Sequence, residues 1–186
     1  MAAALRQWTA ASDKRGVVID QRYNPGGWGG DFLLDLVSAR PLAAYAFRDA
    51  HHLPFPVISH AGPRALIVNE RNGSAADVFP WLFQRARIGP VVGHRTAGAG
   101  VGHLYGYVFA DGGSLSLPLR AFFDPEGGWD IENHGVTPDI EVDNDPAALL
   151  RGEDRQLDAA VDAVLKARRE QPAPAPKRPE SVRFPR

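Results

Sequence analysis

The sequence predicts an α/β domain with a mixed, largely parallel sheet flanked by helices. Residues 65–68, Ala-Leu-Ile-Val, make an apolar run the length of a buried strand. A helical stripe follows, and then a second apolar run at Pro90, Val91, Val92 and Gly93. Strand, helix and strand in that order imply a right-handed crossover and parallel pairing. Val17–Asp20 is a further apolar stretch, continuous enough to be expected in the centre of the sheet. Residues 154–169 close the domain as an amphipathic helix, with Arg168 and Arg169 at the end its dipole favours.

Composition narrows the class. The chain has 186 residues, enough for one domain, and 44% of them are hydrophobic, enough for a core. A net charge of −1 gives no bulk attraction to nucleic acid or an anionic membrane. There is no cysteine, which excludes disulfides and thiolate metal sites. No apolar run has the length of a membrane span, and the N-terminus lacks a charged-then-apolar signal pattern. A cytoplasmic protein is therefore expected. Three units are expected: an entry segment at 1–13, a catalytic-type domain at 14–170, and a disordered, basic, proline-rich tail at 171–186.

Each element has a local reason. Residues 1–8 have the makings of a short helix. Residues 22–30 form a glycine-rich loop. Residues 31–37 carry apolar side chains at helical spacing and stop before Pro41. Residues 42–47 read as a strand with Tyr45 and Phe47 on one side. Adjacent His51 and His52 lack ligand spacing, so no metal is expected there. His60 lies in a turn and takes no role.

After the strand at 66–69, Asn72-Gly73 breaks the run and Ser74 opens a helix, with Asp77 three residues on in a capping-box variant. Val78, Phe79, Leu82 and Phe83 form the core-facing stripe of that helix. Pro80 implies a kink or a later start. Residues 96–102 form a glycine loop, expected to be mobile and to act as a lid or substrate edge. It is not a dinucleotide fingerprint, because the strand-like alternation of 103–109 follows it, nor a phosphate loop, because it has no Gly-Lys-Ser/Thr. Asp111-Gly112-Gly113 turns a hairpin into 114–117, residues 121–124 read as another strand, and 125–128 as a turn. In the last helix Leu157, Val161, Val164 and Leu165 are expected to face inward.

The chemistry centres on Ser74. A serine on a sharp strand-to-helix turn exposes its hydroxyl beside the N–H groups of the first helical turn. Taken alone, Ser74 reads as an ordinary N-cap and Gly26-Gly27 as an ordinary tight turn. Three segments in order add weight: the strand running into Asn24-Pro25-Gly26-Gly27, the turn Asn69-Glu70-Arg71-Asn72-Gly73-Ser74-Ala75-Ala76-Asp77, and Glu132-Asn133-His134-Gly135-Val136-Thr137-Pro138-Asp139.

With residues 92–96 and the segment from Pro146 onward, these resemble the C-terminal catalytic subdomain of tricorn-type serine peptidases, relatives of the tail-specific (C-terminal processing) proteases. The resemblance covers residues 14 to 180 or so and implies a ClpP/crotonase-like sheet flanked by helices. It implies Ser74 as nucleophile, Glu132 as the glutamate of the catalytic set, and the N–H groups of Gly27 and Ala75 as the oxyanion hole. Asn24, Gly26, Gly98 and Gly100 belong to the substrate-edge loops. Asp77 is expected to cap the helix rather than act as an acid.

The general base is the open question. The tail-specific relatives use a Ser-Lys pair, but Lys14, Lys166 and Lys177 lie before the first strand, on the last helix and in the tail. In the tricorn type a Ser-His pair sits in a separate upstream subdomain, and none of the six histidines matches it. A missing upstream segment or a partner chain is therefore expected to bring the base.

The expected function is serine-type hydrolysis of short peptides, without cofactor or metal. The alternative is a non-catalytic remnant that binds peptides or a partner. Acyl-CoA chemistry on a crotonase-like fold is disfavoured by the lack of a phosphate-binding cluster. The family tends to form rings, so a homo-oligomer is also expected.

Overall fold

A computed structural model describes residues 2–28, 30–47, 52–173 and 176–180, apart from the side chains of Leu104 and Tyr105. In chain order the elements are α1 (Ala2–Ala10), β1 (Val17–Asp20), α2 (Gly30–Ser38), β2 (Ala43–Tyr45), β3 (Leu53–Phe55), β4 (Arg64–Val68), α3 (Ala75–Arg85), β5 (Val91–Gly93), β6 (Gly102–Val108), β7 (Ser114–Arg120), β8 (Ile140–Glu141), α4 (Pro146–Leu150) and α5 (Arg155–Glu170). A parallel four-stranded sheet has the order β1-β4-β5-β8. Two antiparallel ribbons, β2–β3 and β6–β7, stand apart from it.

The sheet has helices on both faces. On one, Trp8 of α1, Leu36 and Val37 of α2, and Phe79 and Phe83 of α3 pack over Leu66 and Val68. On the other, Ala160 and Val164 of α5 cover Ala65, Ile67 and Val92. β4 is sandwiched between them and every residue of it is buried, as an aliphatic run in a parallel sheet requires. The exception in chemistry is Arg64. Its guanidinium donates to the carbonyls of Gly62, Ala39 and His60 and stacks on Trp8. Burial pulls its pKa down to about 10.

Several expectations change. Among the described residues β1 is an edge strand, and β4 and β5 are the inner ones; the half-buried residues of β1 have cover on both faces but pair with β4 alone. Residues 121–124 form no strand, only an isolated bridge from Asp124 to Gly128. α3 begins at Ala75 and carries Pro80 inside it.

In α5 the buried face is Gln156, Ala160 and Val164, whereas Leu157, Val161 and Leu165 are each about 40% exposed. Polar anchors at its start set this rotation. Gln156 donates to the Val142 carbonyl at 2.8 Å, and Asp154 caps the helix while pairing with Arg22 at 2.8 Å. The hydrogen bond from Arg22 holds the Asp154 carboxyl down at about 2.

The entry segment is tied down through Trp8, whose indole N–H donates to the Ile58 carbonyl at 2.6 Å. Of the His51-His52 pair, His51 lies outside the described residues, as do 174–175 and 181–186 of the tail. No helix among the described residues is long and apolar enough to cross a membrane.

Candidate active site

β1 and β4 run parallel with Asp20 opposite Ile67, so their C-terminal ends deliver two loops to one place. In open α/β sheets that is where ligands bind. The loops are stitched together. Asn72, fully buried, donates through its side chain to the Gln21 carbonyl at 2.6 Å, and its Oδ1 accepts the Asn69 N–H at 2.7 Å. The Tyr23 N–H donates to the Asn69 side chain at 3.0 Å, and the Gly73 N–H to the Asn24 carbonyl at 3.2 Å. Asn24 also accepts the Gly26 N–H through its Oδ1 at 3.0 Å.

Gly26 has to be glycine. Its φ is +102°, and a Cβ there would stand 2.6 Å from the Gly73 carbonyl oxygen and 2.7 Å from the Ser74 Cβ. Gly27, at φ +129°, has nothing within 4 Å of where its Cβ would be.

At the end of the second loop, Ser74 has φ 56° and ψ −123°. L-residues rarely adopt that conformation, which costs on the order of 1–3 kcal/mol and persists only when the surroundings enforce it. Its side chain makes no capping hydrogen bond. Ser74 therefore occupies the N-cap position without doing the cap's work, and the expected capping box is absent.

Asp77 is not a cap either. It is fully buried, and its two oxygens accept the backbone N–H groups of Gly98 at 2.9 Å and Ala99 at 2.8 Å. The glycine loop is thus fastened rather than loose. Ala97 donates to the Asn72 carbonyl, Thr96 to the Val136 carbonyl, and Val101 to Glu132 Oε2 at 2.8 Å.

Ser74, Ala75 and Gly27 line a cavity of about 300 Å³ together with Val78, Leu82 and Phe122. Three of the four predicted stripe residues of α3, Val78, Phe79 and Leu82, therefore touch this cavity, and Phe79 and Phe83 also fill the core. Gly100 closes another wall, and Arg120 stacks over Trp28, its guanidinium 4.7 Å from the ring centre. Among the described residues, neither the Gly27 N–H nor the Ala75 N–H donates to another protein group.

Glu132 is half-buried and does not itself line the cavity. It joins the wall through Val101, and the next residue, Asn133, donates to the Gly98 carbonyl at 2.8 Å. Gly98, at φ +78°, abuts Gly135 and His134 so closely that a Cβ would reach 2.6 Å from the Gly135 nitrogen.

Among the described residues lining the cavity there is no histidine and no lysine. His60 is buried beside Trp8 and Arg64, and burial with the Arg64 charge lowers its pKa. His94 faces Asp143 at 3.8 Å, while His103 and His134 are exposed. No group of three potential metal ligands exists among the described residues. Sequence reasoning missed Asp77 as a loop anchor and the Trp28–Arg120 stack. The first had a signal in the glycines it serves, whereas the second had none.

A parallel sheet whose strand ends present a serine on a strained turn into a helix has the strand–turn–helix geometry on which α/β domains can carry a nucleophile. Comparison with known proteins supplies the family. The profile of peptidase family S41 matches residues 1–142. The Tricorn protease of Thermoplasma acidophilum is 32% identical over 168 residues, spanning 90% of this chain and 16% of that protein. A crystal structure of the tricorn protease superposes with a TM-score of 0.83 at 32% identity over 88% of this chain and 16% of its own. The photosystem II D1 C-terminal processing protease does so with a TM-score of 0.57 at 25% identity over 76% of this chain and 39% of its own. The chain belongs to peptidase family S41. It spans less than a fifth of the length of the curated tricorn relatives it matches.

Proposed function

We propose that this chain is the nucleophile-bearing part of a serine-type peptidase. Ser74 attacks the scissile carbonyl, and the N–H groups of Gly27 and Ala75 receive the oxyanion. Glu132 serves as the electrostatic partner of the catalytic set and braces the cavity wall through Val101. The observation that carries this reading is the backbone of Ser74, held at φ 56° with its hydroxyl released from capping beside an open cavity. A plain cap has no use for that strain. Short, unfolded peptides are the substrate class, and the apolar walls suit extended chains stripped of structure. A cytoplasmic location and self-assembly belong to the same proposal.

The general base comes from outside the described cavity, as a histidine of an upstream segment or of another chain. That same feature favours the second reading, a peptide-binding or partner-binding domain without turnover. A fluorophosphonate probe separates the two. Ser74 should be labelled once the base-bearing segment is supplied, and Ser74→Ala should abolish labelling. No labelling with or without that segment would leave only the binding role.

A further inference from the structure

We propose that Arg120 is the carboxylate-binding group of the Ser74 cavity, and that the peptides this cavity receives carry a carboxylate beside an apolar side chain. This rests on the reading of the cavity as the substrate site, to which it adds the charge of the substrate.

Asp31 and Arg120 are the charged side chains among the described residues lining the cavity. They do not pair with each other, and among the described residues neither has another ion-pair partner. An unpaired arginine at a surface is ordinary. What sets Arg120 apart is how it is held.

Arg120 ends β7 and lies opposite Gly102, the first residue of β6. A Cβ at Gly102 would stand 2.8 Å from Arg120 Nε and 3.0 Å from its Cγ. The stem of Arg120 therefore crosses the ribbon over a residue whose missing side chain leaves it room. Beyond the glycine, the guanidinium lies over the Trp28 ring, 4.7 Å from its centre. Trp28 follows Gly27 directly, so the stack joins the β6–β7 ribbon to the loop that bears the Gly27 N–H. Stacking occupies one face of the guanidinium and leaves its edge free. That edge carries the fork of N–H donors that a carboxylate meets with two parallel hydrogen bonds.

The rest of the cavity sets the company of that carboxylate. Val78, Phe79, Leu82 and Phe122 supply apolar walls, which favour burial of an apolar side chain. Asp31, in the first turn of α2, repels an anion from its own side of the cavity and so directs it toward Arg120. Two sources present the required pair of oxygens: the C-terminus of a short peptide, and an aspartate or glutamate side chain.

Peptide titration followed by NMR tests this on the chain as it stands, without turnover. The first pair of probes is acetyl-Ala-Ala-Leu with a free C-terminal carboxylate and the same peptide as its amide. The second is acetyl-Ala-Glu-Leu-amide and acetyl-Ala-Gln-Leu-amide. In at least one pair the carboxylate member should bind about tenfold more tightly and shift the Arg120 Nε–H and the Gly102 amide. The pair that does so identifies the source. The advantage should vanish in Arg120→Gln and survive only in part in Arg120→Lys. Gly102→Ala keeps every charge but displaces the stem, and should cut the advantage several-fold. Trp28→Ala should weaken it and Trp28→Phe should restore most of it, as a stacking surface requires. Equal binding within both pairs overturns the inference. So does an advantage that persists in Arg120→Gln, or the failure of all four peptides to bind. Fluorophosphonate labelling of Ser74 is the separate measure of the peptidase reading. A carboxylate advantage without labelling upholds the Arg120 site and sinks the peptidase; labelling without the advantage sinks the Arg120 site alone.

Discussion

The carboxylate of Asp77 accepts the backbone N–H of Gly98 at 2.9 Å from a position with no exposure to solvent. Its second oxygen takes Ala99. One side chain in the first turn of α3 thus fixes the far wall of the cavity that Ser74 lines. Two donors require a group that only accepts. Asp77→Asn sets an amide N–H against a backbone N–H and should cost about 2–3 kcal/mol. Urea denaturation would measure that cost. Amide exchange should show the loss of protection concentrated at Gly98 and Ala99.

Replacing Ser74 distinguishes a strained nucleophile from a cap. A true cap loses about 1 kcal/mol on conversion to alanine. Here Ser74→Ala should fall within about 0.5 kcal/mol of the parent, because no capping bond is lost. Ser74→Gly should be stabilising by up to about 1 kcal/mol, since glycine tolerates positive φ. Thermal melts of the three proteins decide it. A loss of more than 1 kcal/mol in the alanine variant would restore the cap.

Gly26 and Gly27 should respond differently to alanine. At Gly26 the new methyl meets the Ser74 Cβ and the Gly73 carbonyl, and φ is +102°. A cost of about 3 kcal/mol or more is expected, with loss of any Ser74 labelling. At Gly27 only the backbone conformation objects, so the cost should stay at about 1–2 kcal/mol. Equal destabilisation of the two variants would contradict the close packing of the loops.

Acid should loosen α1. Burial and the Arg64 charge lower the pKa of His60, so its neutral form belongs to the folded state. A lowered folded-state value means that the unfolded chain binds the proton more readily, so stability rises with pH. The contribution of His60 is complete above its ordinary value of about 6.5 and is lost as pH falls below it toward the depressed value. Trp8 packs on His60 at 5.8 Å and reports the change. Its fluorescence melt should shift down between pH 7.5 and pH 5.5, and the shift should shrink in His60→Asn.

Much of this was legible in the residues. The aliphatic runs of β1, β4 and β5 announced a parallel sheet, because strands buried on both faces have no polar face to interrupt them. Asn72-Gly73-Ser74 announced the turn, and Pro25-Gly26-Gly27 its neighbour. What escaped was set by partners distant in sequence. The rotation of α5 depends on Gln156 reaching Val142, which no periodicity reveals. Residues 121–124 have the composition of a strand but find no neighbour to pair with. Asp77 sits where a capping box predicts it, yet its oxygens serve a loop more than twenty residues away. The place of β1 at the edge reflects what stands beside it, not its own composition.

The contact between Gly26 and Ser74 reaches beyond either residue. With so little room between them, one turn cannot shift unless the other follows, and both hang from the ends of adjacent strands. The aim of a single hydroxyl is therefore inherited from the alignment of β1 on β4. Slipping that alignment by one position would ruin the constellation without altering any residue in it, so sheet formation and assembly of the centre are one event.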